Sequence, residues 1–340
     1  MVRDYYGRIL NRSSDLKTTA CCVTEVLPPS VAEVVAQVHP EVRERFYGCG
    51  VIAPAELEGR TVLDLGCGTG RDVFVLSKLV GPTGSVIGVD MTEEQLSVGL
   101  RHVEFHAKAF GYEASNVTFR HGFIEDLESI GLASNSIDLV VSNCVINLSP
   151  SKERVFREIV RVLRPGGELH FSDVFADRRL PEAFAEDPVL LGECLGGAMY
   201  AEDFRRLMAK VGCQDVRTVA RSPISITNPD VAAKVGNAHF ASLTLRAFKL
   251  ELEDRCEDYG QVAWYLGTIP GAPHAYRLDD HHLFEARRPM PVCSNTAKML
   301  AETRLARHFR IEGDLSRHFG LFPCAPVTES KTAQSGGACC

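Results

Sequence analysis

The chain has no apolar run approaching the roughly 20 residues that a helix needs to cross a bilayer. Its opening, MVRDYYGRIL, is too polar for a signal-peptide core. A cytoplasmic protein with no membrane partner is therefore expected. Clustered Lys and Arg are missing as well. The balance of 37 basic against 44 acidic residues gives a formal charge of -7, which favours neither a nucleic-acid backbone nor an anionic surface as partner. No internal repeat is visible. The cysteines lack a pattern of their own: there are 12, yet no C-x-x-C, the paired spacing of zinc ribbons and thioredoxin-like sites. Reducing conditions argue against a structural disulfide framework. No tightly bound metal cofactor is expected, and any thiol site must be assembled by the fold from distant segments.

What is present begins with length: 340 residues suit one large domain with attachments. Residues 61 to 175 alternate between strand and helix patterns. TVLDL, SVIGVD, VTFR, IDLVVS and GELHFSD read as strands. RDVFVLSKLV reads as a helix closed by Gly81-Pro82. Thr92 with Gln95 gives a capping-box pattern opening a helix through about Phe110, stopped by Gly111. Ser149 and Pro150 suit the N-cap and first position of a helix ended by RPGG. The pattern predicts an α/β, Rossmann-like doubly wound sheet whose ligand lies beyond the carboxyl ends of the strands.

The expected division is an N-terminal segment over 1–59 carrying Cys21 and Cys49, a core over 60–175, a smaller α+β domain over 176–250, a C-terminal domain over 251–325 and a disordered tail over 326–340. Within these, 30 to 46 reads as an amphipathic helix interrupted near Pro40. AEDFRRLMAKVG reads as a helix, and VRTVA and SLTLRAFKL as strands.

Glycines 66, 68 and 70 in VLDLGCGTGRD fall between a strand and a helix, where they permit a tight turn and close approach of a ligand to the backbone. The third comes one residue earlier than in the dinucleotide fingerprint, so the glycines alone are weak evidence and a plain strand-to-helix turn stays open. Asp90 ends the second predicted strand, where a carboxylate can accept both ribose hydroxyls of a nucleoside. HGFIEDL follows the third strand and RPGGELHFSD supplies the fifth. This order resembles the class I S-adenosylmethionine-dependent methyltransferases over about residues 60 to 175. The resemblance implies S-adenosylmethionine as cofactor, with Gly66, Gly68 and Gly70 around its methionine part and Asp90 at the ribose. Ile124 and Glu125 would lie near the adenine and Asn143 at the end of the fourth strand, with Asp64 and Met91 in the same set. The D/N-P-P-Y/F motif of many amino-group methylating members is absent, because Asn143 is followed by Cys-Val-Ile.

In SNCVINLSP, Cys144 stands where a buried strand hands over to a loop; taken alone, it reads as a small core hydrophobe. Four fragments change that reading: DLKTTACC, RFYGCG, SNCVINL and GECLGGAMY closely resemble the arsenite methyltransferase family. So do YYG, DMTEEQL, FSDVFADRRLPE and FASLTLRAFKL, through about residue 250, and more loosely the region around HFRIEGD. The resemblance implies that Cys144 and Cys194 hold trivalent arsenic, that Cys49 is the third catalytic thiol with Cys21 as its disulfide partner, and that Tyr47 touches the cofactor. The implied substrate is arsenite or an arsenic–thiol conjugate, converted to methylated arsenicals in detoxification by a monomer, with thioredoxin or glutathione as reductant.

Soft, thiophilic arsenic suits such ligands. Its lone pair needs no general base, since arsenic carries no proton to remove. No convincing His or Asp dyad is seen: His170 and the pair His281-His282 read as sheet and surface residues. Cys22 adjoins Cys21 and shares its claim to be the resolving thiol. Cys67 stands where the family commonly has serine, and Ala201 where relatives tend to have tryptophan. Cys213, Cys256, Cys293 and Cys324 have no motif support and are expected to pack, while Cys339-Cys340 would either capture arsenic or form an idle terminus. A methyltransferase of a quinone or sterol, a thiol-rich metalloid-binding protein and a structural zinc site remain as alternatives.

Overall fold

The computed structural model describes residues 28–46, 48 and 50–323. Tyr47, Cys21, Cys22, Cys49, Cys324, Cys339 and Cys340 lie outside the described residues, as does the tail. No described helix is long and apolar enough to cross a membrane.

Strands β1 (Thr61–Leu65), β2 (Ser85–Asp90), β3 (Val117–His121), β4 (Ile137–Asn143) and β5 (Leu163–Ala176) are joined by parallel pairing. Next come β6 (Met199–Tyr200), β7 (Val216–Pro223) and β8 (Phe240–Phe248). The sheet runs β3-β2-β1-β4-β5-β8-β7, with β8 antiparallel to both of its neighbours. Strands β1 and β4 are almost continuously buried because helices cover both faces, which is why TVLDL and IDLVV are mostly apolar, interrupted by Asp64 and Asp138, rather than alternating. Chain order reverses between β1 and β4, opening a crevice at their carboxyl ends. Short β6 pairs with Phe175 and Ala176 of β5, beyond the point where β4 stops at the pair Asn143 and Ser172. A later part of the chain is thereby laid across the end of β4.

Several elements differ from expectation for reasons of long-range bonding. The Thr92–Gln95 capping box does not form: Thr92 makes no side-chain cap, and its N–H donates to Asp90 Oδ1 at 2.8 Å. The helix there breaks at His102 into Glu93–Arg101 and Val103–Phe110, with the His102 ring held by Glu41 at 2.7 Å. Ser149 is not the N-cap: its hydroxyl donates to Glu125 and accepts Ser151 N at 3.1 Å, and the helix Lys152–Val162 starts after Ser151. RPGG belongs to β5 instead of ending the preceding helix in a turn, since Gly166 N and Gly167 O pair with Lys249 at 2.8 and 2.9 Å. Strands β7 and β8 complete the main sheet, so residues 176–250 do not have a sheet of their own. The segment 30–46 forms helices Pro29–Gln37 and Pro40–Glu44.

The C-terminal part holds β9 (Glu257–Asp258), β10 (Gln261–Tyr265), β11 (Ala275–Arg277), β12 (Leu283–Glu285), β13 (Pro289–Val292), β14 (Phe309–Glu312) and β15 (Gly320–Leu321). Strands β13-β10-β14 form a small sheet over its own apolar cluster around Tyr265, Phe284 and Phe309. Glu168 of β5, wholly buried, joins this part to the main sheet through Arg304 and pairs within the sheet with Arg246 of β8 at 2.8 Å. Burial alone would raise its carboxyl, but the two guanidinium groups override that and hold it well below the usual range.

Candidate active site

The turn after β1 begins the site. Gly66 N and Cys67 N donate to Val89 O of β2, and Gly68 N donates to Asp90 Oδ2 at 2.9 Å. Gly66 has φ +72, and a Cβ there would lie 2.4 Å from the Val145 side chain. Gly68 has φ +53, and a Cβ there would meet nothing within 4 Å. The backbone thus presents an open cradle to a cavity of about 660 Å³. Asp64, Gly66, Gly68, Asp90, Met91, Ile124, Glu125, Asn143 and Cys144 all line it. Gly70 does not. It caps the helix Arg71–Val80 with φ 87 and faces Phe119, where a Cβ would approach to 2.5 Å.

Three carboxylates converge below the cradle. Asp64 is held well above the ordinary carboxyl range, first by burial and then by repulsion from Asp72 and Asp90. Burial also raises Asp90, against the hydrogen bonds from Gly68 and Thr92 that stabilise its anion. The Cys67 thiol is pushed up by burial and by the same acids, which leaves it a poor nucleophile. An acid cluster beside an open backbone cradle fits a nucleoside carrying positive charge, as the cofactor implied by the sequence does.

Asp72, missed in the sequence, is buried and accepts a bond from Asn143 Nδ2 at 3.1 Å; the same amide donates to Gly50 O at 3.0 Å. Arg71 adds an ion pair to Asp72 at 2.6 Å and lies 3.1 Å over the Phe46 ring. Gly48 packs so closely on Asn143 that a Cβ would sit 2.9 Å from its Oδ1. Gly48 and Gly50 therefore both meet Asn143, which lines the cavity. The adjacency of Asp72 to the glycine turn was the available signal. Phe123 and Arg154 also line the cavity, but no motif marked them.

Cys144 and Cys194 come together at the carboxyl end of β4. Both adopt the left-handed region, φ 57 and φ 60, a conformation that costs a non-glycine residue energy and concentrates at functional sites. Cys144 N donates to Ser172 O at 2.8 Å, and Cys194 Sγ donates to Cys144 O at 3.5 Å. The pair Gly196-Gly197 explains how the loops meet. A Cβ on Gly196 would lie 2.3 Å from Phe184 O, and one on Gly197 2.0 Å from Asn147 O. Both cysteines are buried among Val174, Leu190, Leu195, Val231 and Phe240, an apolar shell that excludes water. Cys144 is disulfide-bonded, whereas Cys67, Cys194, Cys213, Cys256 and Cys293 are not in disulfides.

Asp173 locks the loop that follows Cys144. Its carboxyl accepts Asn147 N at 3.0 Å and Val174 N at 2.8 Å, while Asn147 Nδ2 donates to Val174 O at 2.6 Å. Burial pushes Asp173 up to about 7, opposed by these N–H donors and by Lys152. A carboxyl raised in the folded chain adds stability that is complete below the unfolded value of 3.8 and is lost as pH rises through about 7. Urea midpoints measured from pH 4 to 8 should therefore fall more steeply for the wild type than for Asp173→Asn. Parallel curves for the two proteins would exclude this.

Strand order, the glycine turn and the acid ending β2 together define a class I S-adenosylmethionine-dependent methyltransferase, and the family described as "Methyltransferase domain" matches residues 56–212. The chain is 55% identical to an arsenite methyltransferase of Aquipseudomonas alcaligenes, covering 100% of this chain and 99% of that protein. It is 42% identical to the arsenite methyltransferase of Homo sapiens, covering 91% and 82% respectively. The crystal structure of an arsenic (III) S-adenosylmethionine methyltransferase from Chlamydomonas reinhardtii superposes with a TM-score of 0.85 at 54% identity, over 87% of this chain and 100% of that one. The chain belongs to the arsenite methyltransferases.

Proposed function

We propose that this protein transfers methyl groups from S-adenosylmethionine to trivalent arsenic held by its cysteine thiolates. The observation that carries this is the hydrogen bond from Cys194 Sγ to the carbonyl of Cys144, which lines the cavity. When bound, S-adenosylmethionine supplies an electrophilic methyl group on a positively charged sulfur. Asp90 would hold its ribose, Gly66 and Gly68 its methionine part, Ile124 and Glu125 its adenine, and the acids Asp64 and Asp72 suit its charge.

Cys144 and Cys194 act as soft ligands that fix the arsenic with its lone pair free, and the apolar shell around them keeps water out. Positioning is the main contribution, because a lone pair attacking carbon needs no proton removed. Cys49 would be the third sulfur, with Cys21 or Cys22 as resolving thiol. The arsenic leaves formally pentavalent, and two thiols closing to a disulfide return the two electrons that restore the trivalent state. Thioredoxin or glutathione then reduces the disulfide. That Cys144 is held in a disulfide supports a cycle in which this sulfur must be reduced before it binds substrate.

The test incubates purified protein with arsenite, S-adenosylmethionine and a dithiol, and separates the arsenic species by chromatography. Methylated arsenicals should appear in step with S-adenosylhomocysteine. Turnover of a quinone or sterol with no methylated arsenic, and with no response to thiol alkylation, would overturn the proposal.

A further inference from the structure

A second pair of cysteines lies where β7 meets the C-terminal part, and methyl transfer has no use for it. Cys293 is wholly buried and caps the helix Ser294–Ala301. Its Sγ accepts Thr296 N at 3.5 Å, lies 3.2 Å from Thr296 Oγ1, and receives Arg217 Nη2 at 3.8 Å. The Cys256 thiol hydrogen-bonds to the same sulfur. Arg217 cannot turn away, since Asp215 grips it at 2.6 Å and Asp279 at 3.3 Å. Asp279 is itself bonded to His282 at 2.7 Å, so His282 is a buried member of this cluster and not the surface residue expected.

Two buried thiols in this chain diverge as a result. Burial pushes Cys213 up to about 11, the behaviour of an inert core thiol. Cys293 is brought down to about 5, first by the Cys256 hydrogen bond and then, against burial, by Thr296 and Arg217. Cys293 packs as expected, and it also caps a helix and has a second sulfur in hydrogen-bond contact. Cys256 is half-buried, and Phe322 N donates to its carbonyl at 2.8 Å. It directly precedes β9, which pairs with β15 in a two-residue ladder beside the exposed side chains of Phe319 and Leu321.

We propose that Cys256 and Cys293 form a second dithiol site, apart from the methyl-transfer cleft, that binds trivalent arsenicals carrying one carbon substituent. The choice of arsenic rests on the function proposed above; the dithiol geometry does not. Each such arsenical has two exchangeable hydroxyls. Both are replaced by sulfur, the two As–S bonds form, two molecules of water leave, and no oxidation state changes. The proton of each thiol leaves with one of the hydroxyls as water. Two sulfurs saturate this ligand, whereas arsenite would need a third. Among the described cysteines, Cys144, Cys194 and Cys213 belong to other clusters, and Cys67 to the cavity. Arg217 beside the sulfurs disfavours a divalent cation but carries no penalty for a neutral arsenical.

The test uses the full-length chain carrying Cys144→Ser and Cys194→Ser, with phenylarsine oxide as probe. Free thiols are alkylated in urea, so that burial masks none, and quantified cysteine by cysteine by mass spectrometry. With the probe at about ten times its dissociation constant, alkylation of Cys256 and Cys293 should fall together by about tenfold. Adding Cys293→Ser should abolish protection of Cys256, and adding Cys256→Ser, which leaves the helix cap intact, should abolish that of Cys293. Equal alkylation with and without probe would overturn the site, as would protection of Cys256 surviving in Cys293→Ser. Arsenite methylation by Cys256→Ser in the otherwise native chain reads the cleft separately: its failure alongside a protected dithiol in the probe assay would count against the cleft alone.

Discussion

Replacing either Cys144 or Cys194 by serine is expected to abolish methylation of both arsenite and monomethylated arsenic, with kcat/KM falling by at least about 100-fold. The two sulfurs act as one chelate, so removing either opens it, and the attachments that remain no longer fix the lone pair along the line of attack. A hydroxyl does not replace it, since oxygen is a hard ligand that competes poorly with water for a soft centre. Cys194 does not line the cofactor cavity, so Cys194→Ser should bind S-adenosylmethionine with unchanged affinity in calorimetry. That separates loss of the arsenic ligand from loss of the cleft. A buried hydroxyl costs about 1–3 kcal/mol, and Cys194→Ala, which buries no polar group, controls for it. Cys49→Ser and Cys21→Ser should spare the later methyl transfer. Undiminished arsenite turnover in both the Cys144→Ser and Cys194→Ser proteins would defeat the assignment.

The parts of this fold that are legible in the sequence are those set by local pattern. Buried β1, β2 and β4 appear as short apolar runs, and the glycine turn and Asp90 mark the cofactor crevice, because turn geometry and strand burial act on neighbouring residues. What escaped depends on partners far along the chain. Ser149 is bound to Glu125 ahead of a helix that starts only after Ser151, and RPGG becomes strand because Lys249 supplies its ladder. Gly70 reads like Gly66 and Gly68 but faces Phe119, a residue of β3 that no turn rule includes.

The thiol sites divide in the same way. Cys144 and Cys194 could be paired from family resemblance, yet the physical reason for their meeting lies in β6 and the Gly196-Gly197 contact. Cys293 had no motif at all. Its character comes from Arg217, which lies 76 residues away in sequence, and from Cys256. The charge around a thiol is a tertiary property, and cysteine spacing does not record it.

Gly197→Ala tests whether arsenic chemistry depends on that loop contact. The added Cβ would stand 2.0 Å from Asn147 O, a backbone atom with little freedom, because Asn147 is tied by its N–H to Asp173 and by its side chain to Val174 O. The strand β5 that carries both partners lies at the centre of the sheet. The loop bearing Cys194 must therefore be the one to move. Gly197 follows Cys194 by three residues, as Asn147 follows Cys144, so parting the loops at this point parts the sulfurs. A misplacement on the order of 1 Å costs about 100-fold in rate, and kcat/KM for arsenite should fall by that much. Overpacking of this kind costs about 1–3 kcal/mol, which a chain of this size tolerates, and a melting curve checks it. Affinity for S-adenosylmethionine should stay within about twofold, since neither Gly197 nor Asn147 lines the cavity. If Gly197→Ala methylated arsenite at the wild-type kcat/KM, close approach of the two loops would not be what brings the sulfurs onto one arsenic.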